Sequence, residues 1–152
     1  MAFADGRERP VCTQCGQIVY LNPLPCVAAV LVRDGRVLLV KRNIEPGFGE
    51  WGLPAGFMEW GESPEESLQR EVLEETGMRC QSPELLTVCS EVIEPYGHVV
   101  ILGYTATVND DNPVPGDDAA AAEFFALDSH PALAFVTHRQ IMKTYLSSMG
   151  NQ

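Results

Sequence analysis

The feature that most constrains the fold is a helix whose two ends are written into the sequence. Ser63 supplies an N-cap hydroxyl, Pro64 suits the first helical position, and Glu66 completes an S-x-x-E capping box. Glu65 and Glu66 also complement the positive end of the helix dipole. Gly77 fits the left-handed position just past the last turn, so the spacing predicts a helix over Pro64–Thr76.

That helix carries Arg70, Glu71, Val72, Leu73, Glu74 and Glu75 in succession. At about 100° per residue, Glu75 lies about 40° round from Glu71 and Glu74 about 60° to the other side, so three carboxylates share one arc. The arc borders the apolar stripe of Leu68 and Val72, where desolvation sharpens the repulsion. Arg70, an i,i+4 neighbour of Glu74, cannot neutralise three acids alone. Divalent cations suit clustered oxygens, and with no Cys or His in the cluster the donor set favours Mg²⁺ or Mn²⁺ over zinc. Mg²⁺ in turn commonly bridges to phosphates, which points to a phosphoanhydride or phosphate ester as substrate.

Upstream, residues 25–32 and 36–41 are apolar runs joined by Asp34-Gly35, a β-hairpin pattern. Between this hairpin and the helix, glycines and prolines alternate with Trp51, Leu53, Phe57 and Trp60, as expected of a loop built around short strands. Downstream, residues 85–92 and 99–108 read as an antiparallel pair, 110–118 as a surface loop, 123–127 as a short strand and 138–147 as a helix. Strands and helices in this order predict a layered α/β domain.

Composition narrows the partners. The 152 residues are 45% hydrophobic and 20% charged, the profile of a folded globular chain, long enough for one domain. Ten Lys and Arg against 21 Asp and Glu give a net charge of −11, which disfavours nucleic-acid backbones and anionic membranes. The apolar runs are far shorter than the roughly 20 residues of a membrane helix. The start of the chain lacks the apolar stretch of a secretion signal, and five irregularly spaced cysteines suggest a reducing compartment, cytoplasm or organelle stroma.

From Gly56 the chain reads Gly, five residues, Glu62, seven residues, then Arg70-Glu71-Val72-Leu73-Glu74-Glu75-Thr76-Gly77-Met78. This resembles the Nudix box, G-x5-E-x7-R-E-U-x-E-E-x-G-U with U an apolar residue, at every fixed position. From average residue usage a chance match is on the order of 10⁻⁷, so the run is not an ordinary acidic helix face. The lead-in Gly49-Glu50-Trp51-Gly52-Leu53-Pro54-Ala55-Gly56-Phe57 resembles that family as well.

The resemblance implies an α/β/α sandwich around a mixed β-sheet, and hydrolysis of a nucleoside diphosphate linked to another group, with one to three Mg²⁺ or Mn²⁺ ions. Carried over by position, Glu71 and Glu75 are the principal metal ligands, Glu74 assists, and the backbone at Gly56 takes a further place. Arg70 orients the catalytic glutamates and Glu62 holds the loop or a metal water. The general base in this family is a box glutamate or an acid from a later loop; Glu91, Glu94, Asp117 and Asp118 are the loop candidates here. Ala119 to Ala122 stand where relatives often carry a glutamate, which favours Glu71 or Glu75. Arg42, Trp51 and Ala55 are candidates for substrate contact, Arg42 either at a phosphate or simply capping a strand end, and Trp51, with Tyr20 and Tyr96, stacked on adenine, a buried core place being at least as open to Trp51. His98, His130 and His138 show no ligand spacing and read as surface or internally satisfied residues.

Residues 1–24 form a separate segment before a hydrolase domain at 25–148. Within it Cys12-Thr13-Gln14-Cys15-Gly16 resembles half of the zinc ribbon preceding a Nudix subgroup of NADH, FAD and ADP-ribose pyrophosphatases. A closed zinc site needs four ligands and only one Cys pair is present, so Cys12 and Cys15 read first as reduced thiols at a turn. Zn²⁺ would require a second pair, as in a homodimer. The Ser, Gln, Pro and Trp-rich run of NADH enzymes is missing after the box, so ADP-ribose or FAD leads as substrate, with release of AMP. NADH hydrolysis, triphosphate hydrolysis and a non-catalytic nucleotide sensor are the alternatives.

Overall fold

The computed structural model describes residues 1–4, 6–109 and 111–150, so Asp110, the first residue of the expected 110–118 loop, lies outside it. The elements run β1 (Ala2–Ala4), β2 (Arg7–Arg9), β3 (Leu24–Arg33), β4 (Arg36–Arg42), β5 (Trp51–Gly52), β6 (Ala55–Phe57), α1 (Pro64–Thr76), β7 (Cys80–Ile93), β8 (Gly97–Val108), β9 (Ala119–Ala126) and α2 (Val136–Met149). β1 and β2 make a small sheet of their own. The other seven strands form one mixed sheet ordered β5-β4-β3-β8-β7, with β6 paired to β3 and β9 to β4; β3 and β8 run parallel.

Strand β3 organises the sandwich because it is apolar on both faces. Cys26, Ala28 and Val30 enter one core with Ile141 and Met142 of α2, while Val27, Ala29 and Leu31 enter the other with Leu68 and Val72 of α1. Strand β4 divides likewise, Val37 and Leu39 to the α2 side, Leu38 and Val40 to the α1 side. Two-residue alternation thus feeds two layers of helix, as in sheets covered on both faces.

The hairpin forms at Asp34 (φ 52°) and Gly35 (φ 71°), both left-handed as a tight primed turn requires. Only Val32–Val37 and Arg33–Arg36 pair before the strands part, β3 turning to β8 and β6, and β4 to β9 and β5. Helix α1 occupies the expected residues. The Ser63 hydroxyl accepts from Glu66 N, the Glu66 carboxylate accepts from Ser63 N, and Gly77 adopts φ 67°. The later elements are longer than periodicity suggests. β7 starts at Cys80 and β9 at Ala119, because pairing with β8 and β4 recruits residues of low strand propensity. α2 starts at Val136 with no side-chain cap of its own, and the carboxylate of Glu91 on β7 reaches across to accept from the backbone N–H groups of Val136 and Thr137.

α2 lies against β8 at Gly103, where a Cβ would stand 2.7 Å from Ile141 Cγ1 and 2.9 Å from Ile141 Cγ2. Gly103→Ala is therefore expected to destabilise the fold by about 1–3 kcal/mol through overpacking. Urea unfolding should show a lower midpoint at unchanged slope.

Candidate active site

Three consecutive residues of β6 meet three residues of α1. Ala55 N–H donates to Glu75 Oε2 at 2.9 Å, the Cα face of Gly56 lies against the Glu71 carboxylate, and the Phe57 carbonyl accepts from Arg70 Nη2 at 3.0 Å. The register is set from the sheet, since β6 pairs with β3 through Cys26–Phe57, Val27–Gly56 and Ala28–Ala55. A Cβ on residue 56 would fall 2.1–2.3 Å from the carboxyl atoms of Glu71, so only glycine leaves that carboxylate its place.

Arg70 gathers the acids. Its Nε donates to Glu62 Oε1 at 2.6 Å and its Nη2 to Glu62 Oε2 at 2.9 Å, while Nη1 donates to Glu71 Oε1 at 2.6 Å and Glu74 Oε2 at 3.0 Å. The bidentate pair holds the Glu62 carboxyl well below its ordinary range, and Glu62 also accepts from Glu59 N, closing the loop before α1. Glu71 and Glu75 are buried. Burial pushes the Glu71 carboxyl up against the pull of Arg70, and Glu74 and Asp118 push it further. Burial likewise raises Glu75 to about 8, opposed by the Ala55 N–H and the charge of Arg42 and reinforced by Asp118 and Glu71.

Arg70, Glu71 and Glu74 line an open acidic cleft with Glu59, Asp117, Asp118 and the β6 residues Ala55, Gly56 and Phe57, and Glu75 lies buried behind it. The cleft continues past Phe57 and Asp118 into a mainly apolar pocket whose walls include Cys26, Arg42, Ile44, Tyr96 and Phe135. Arg42 is braced there by donating Nε–H to the Pro46 carbonyl at 2.7 Å, with its guanidinium 5.1 Å from the Phe135 ring centroid. His138 forms part of the same wall. It is fully enclosed, pushed down to about 3 by burial, and accepts Leu53 N–H on Nδ1 at 3.1 Å, an internally satisfied neutral ring.

Not every residue singled out in the sequence comes to the cleft. Trp51 packs edge-on against Phe125 at 4.8 Å in the core beneath α2, whereas Ala55 lines the cleft with its N–H taken by Glu75. Glu91 caps α2 instead of facing the acids, whereas Asp118 from the later loop does stand beside the box. Cys12 has its thiol held below the ordinary range by the N–H groups of Cys15 and Gln14. Among the described residues, no three His, Cys, Asp or Glu side chains stand close enough together to hold a metal, at Cys12 and Cys15 or in the box. In the box, Arg70 lies against the oxygens of both Glu71 and Glu74. The donor set nonetheless fits a hard divalent cation. Glu71 and Glu75 are buried with incomplete neutralisation, and the missing Cβ of Gly56 makes the room that the Glu71 carboxylate occupies.

The raised Glu75 carboxyl sets a pH dependence. It is neutral in both states below about 4.5, the unfolded value, and ionises first in the unfolded chain between there and about 8, so stability falls as pH rises through that window. In EDTA, Glu75→Gln is expected to melt above the wild-type protein at pH 8, with the gap closing towards pH 4.5. A gap independent of pH would contradict the burial cost.

Comparison with known proteins agrees with this geometry. Residues 23–145 match the NUDIX domain family. An ADP-ribose pyrophosphatase of Methanocaldococcus jannaschii is 40% identical over 129 residues, 84% of this chain and 76% of that protein. A NAD-capped RNA hydrolase NudC of Chromobacterium violaceum is 34% identical over 134 residues, 86% of this chain but only 49% of that protein, so the chain spans about half its length. The crystal structure of a NUDIX hydrolase from Nitrosomonas europaea superposes with TM-score 0.84 at 32% identity, over 94% of this chain and 81% of that one. With Gly56, Arg70, Glu71 and Glu74 of the box drawn to one cleft, the chain belongs to the NUDIX family and is a Nudix hydrolase.

Proposed function

We propose that this protein is a Mg²⁺- or Mn²⁺-dependent pyrophosphohydrolase that splits the diphosphate of ADP linked to another group, ADP-ribose first and FAD second, and releases AMP. The observation that carries the reading is the continuity of the acidic cleft with the apolar pocket, which places diphosphate chemistry beside a seat for a base. The 40% identical archaeal relative, an ADP-ribose pyrophosphatase, supports the same substrate.

Glu71, Glu75 and Glu74, with the backbone at Gly56, would hold the metal. A bound divalent ion neutralises the diphosphate and lowers the pKa of a water. The protein's own contribution is positional. Glu62 locks Arg70, Arg70 tethers Glu71 and Glu74, and Ala55 N–H fixes Glu75, so the carboxylates are set before substrate arrives. For the proton of the attacking water, the buried Glu71 and Glu75 have the raised affinity suited to a base working near neutrality, and Asp118 is a further acceptor in the same cleft. Arg42, braced at the pocket by the Pro46 carbonyl, would meet a phosphate oxygen of bound substrate. The division into 1–24 and 25–148 belongs to this reading, supported by the separate β1–β2 sheet, as does assembly into a homodimer.

The test is hydrolysis of ADP-ribose, FAD, NADH and nucleoside triphosphates with Mg²⁺ or Mn²⁺, with products separated. AMP plus ribose 5-phosphate, lost at least 100-fold in Glu71→Gln with its melting transition retained, is the expected result. Pyrophosphate from triphosphates, or no hydrolysis by folded protein, would overturn it.

A further inference from the structure

A second cleft opens where the N-terminal segment enters the sheet. β3 and β8 are parallel with Leu24 opposite Val99, so the residues at the start of each strand are brought side by side. Tyr20, Leu21, Asn22 and Pro23 on one side face Tyr96 and His98 on the other. Tyr96 also lines the apolar pocket and packs edge-on against Phe57, centroids 5.0 Å apart, so this one ring divides the two spaces. On the far wall, the Arg9 guanidinium lies 4.7 Å from the centroid of the Tyr20 ring, joining β2 to the wall.

The second cleft differs chemically from its neighbour. Three of its walls are aromatic rings, Asn22 adds an amide, and none of its lining residues is Lys, Arg, Asp or Glu. Such a surface suits a flat, uncharged heteroaromatic ring with hydrogen-bonding edges. We infer that the cleft formed by Tyr20, Asn22, Tyr96 and His98 is a subsite for the second aromatic ring of a dinucleotide, so that the two rings of a folded substrate lie on either side of Tyr96. The inference rests on the pyrophosphohydrolase reading and sharpens it. ADP-ribose leaves the subsite empty, FAD fills it, and residues 20–23 of the N-terminal segment become a specificity element of the hydrolase.

Tyr20→Ala removes the outer ring and Tyr20→Phe keeps it. Two measurements separate the possibilities, kcat and KM for FAD and ADP-ribose with Mg²⁺, and FAD binding in EDTA followed by flavin fluorescence anisotropy. Tyr20→Ala is expected to lower the FAD to ADP-ribose ratio of kcat/KM about tenfold through KM, and to weaken FAD binding by a similar factor. Tyr20→Phe should restore both. Unchanged FAD binding in Tyr20→Ala, or an equal loss for FAD and ADP-ribose, would overturn the subsite. If wild-type protein hydrolyses neither compound, the pyrophosphohydrolase reading fails and the binding titration decides the subsite alone. Wild-type binding that Tyr20→Ala weakens supports it, and no binding or no weakening overturns it.

Discussion

The docking of β6 on α1 buries two carboxylates with a single backbone N–H and one shared arginine to hold them. Desolvation at Glu71 and Glu75 opposes folding, as their raised carboxyls record. The rest of the molecule compensates. Val72 and Leu68 fill the core beside them, a full capping box anchors the helix start, and Glu62 fastens Arg70 from the preceding loop. A stability-optimised chain would not keep such a pair. The cleft is thus the part of the fold that a ligand supplying positive charge would stabilise most.

The sheet determines where that charge would act. β3 carries the register for both sides of the site, pairing β6 to bring Gly56 under Glu71 and pairing β8 to bring Tyr96 and His98 beside Tyr20. α2 closes the opposite layer, and its start supplies Phe135 and His138 to the apolar pocket. Glu91 caps that start, so a carboxylate on β7 supports the pocket wall from outside it.

The helix and the box were legible in the sequence because their signals are local: an N-cap, a capping box, a left-handed glycine and carboxylates one turn apart. The α/β layering was legible because the two-residue period of β3 and β4 runs through consecutive residues. Signals that depend on distant partners were not. The Ala-rich start of β9 becomes strand only through pairing with β4, and with it Asp118 reaches the box although the neighbouring alanines argued against a loop acid. Glu91 resembled the other loop acids until α2 came to rest on it, and of the two places the sequence left open to Trp51, a base and the core, Phe125 holds it in the core. The β1–β2 pair, Ala-Phe-Ala against Arg-Glu-Arg, is too short to give a periodic signal.

Gly56→Ala tests whether the space at Gly56 seats the Glu71 carboxylate for a divalent cation. The added Cβ meets the flexible end of Glu71 and not backbone, so the chain should still fold and melt near the wild-type temperature in EDTA. Stabilisation by Mg²⁺, measured as the rise in Tm on titrating the ion, should then be lost. A Gly56→Ala protein that keeps the full Mg²⁺-dependent rise in Tm would contradict the account.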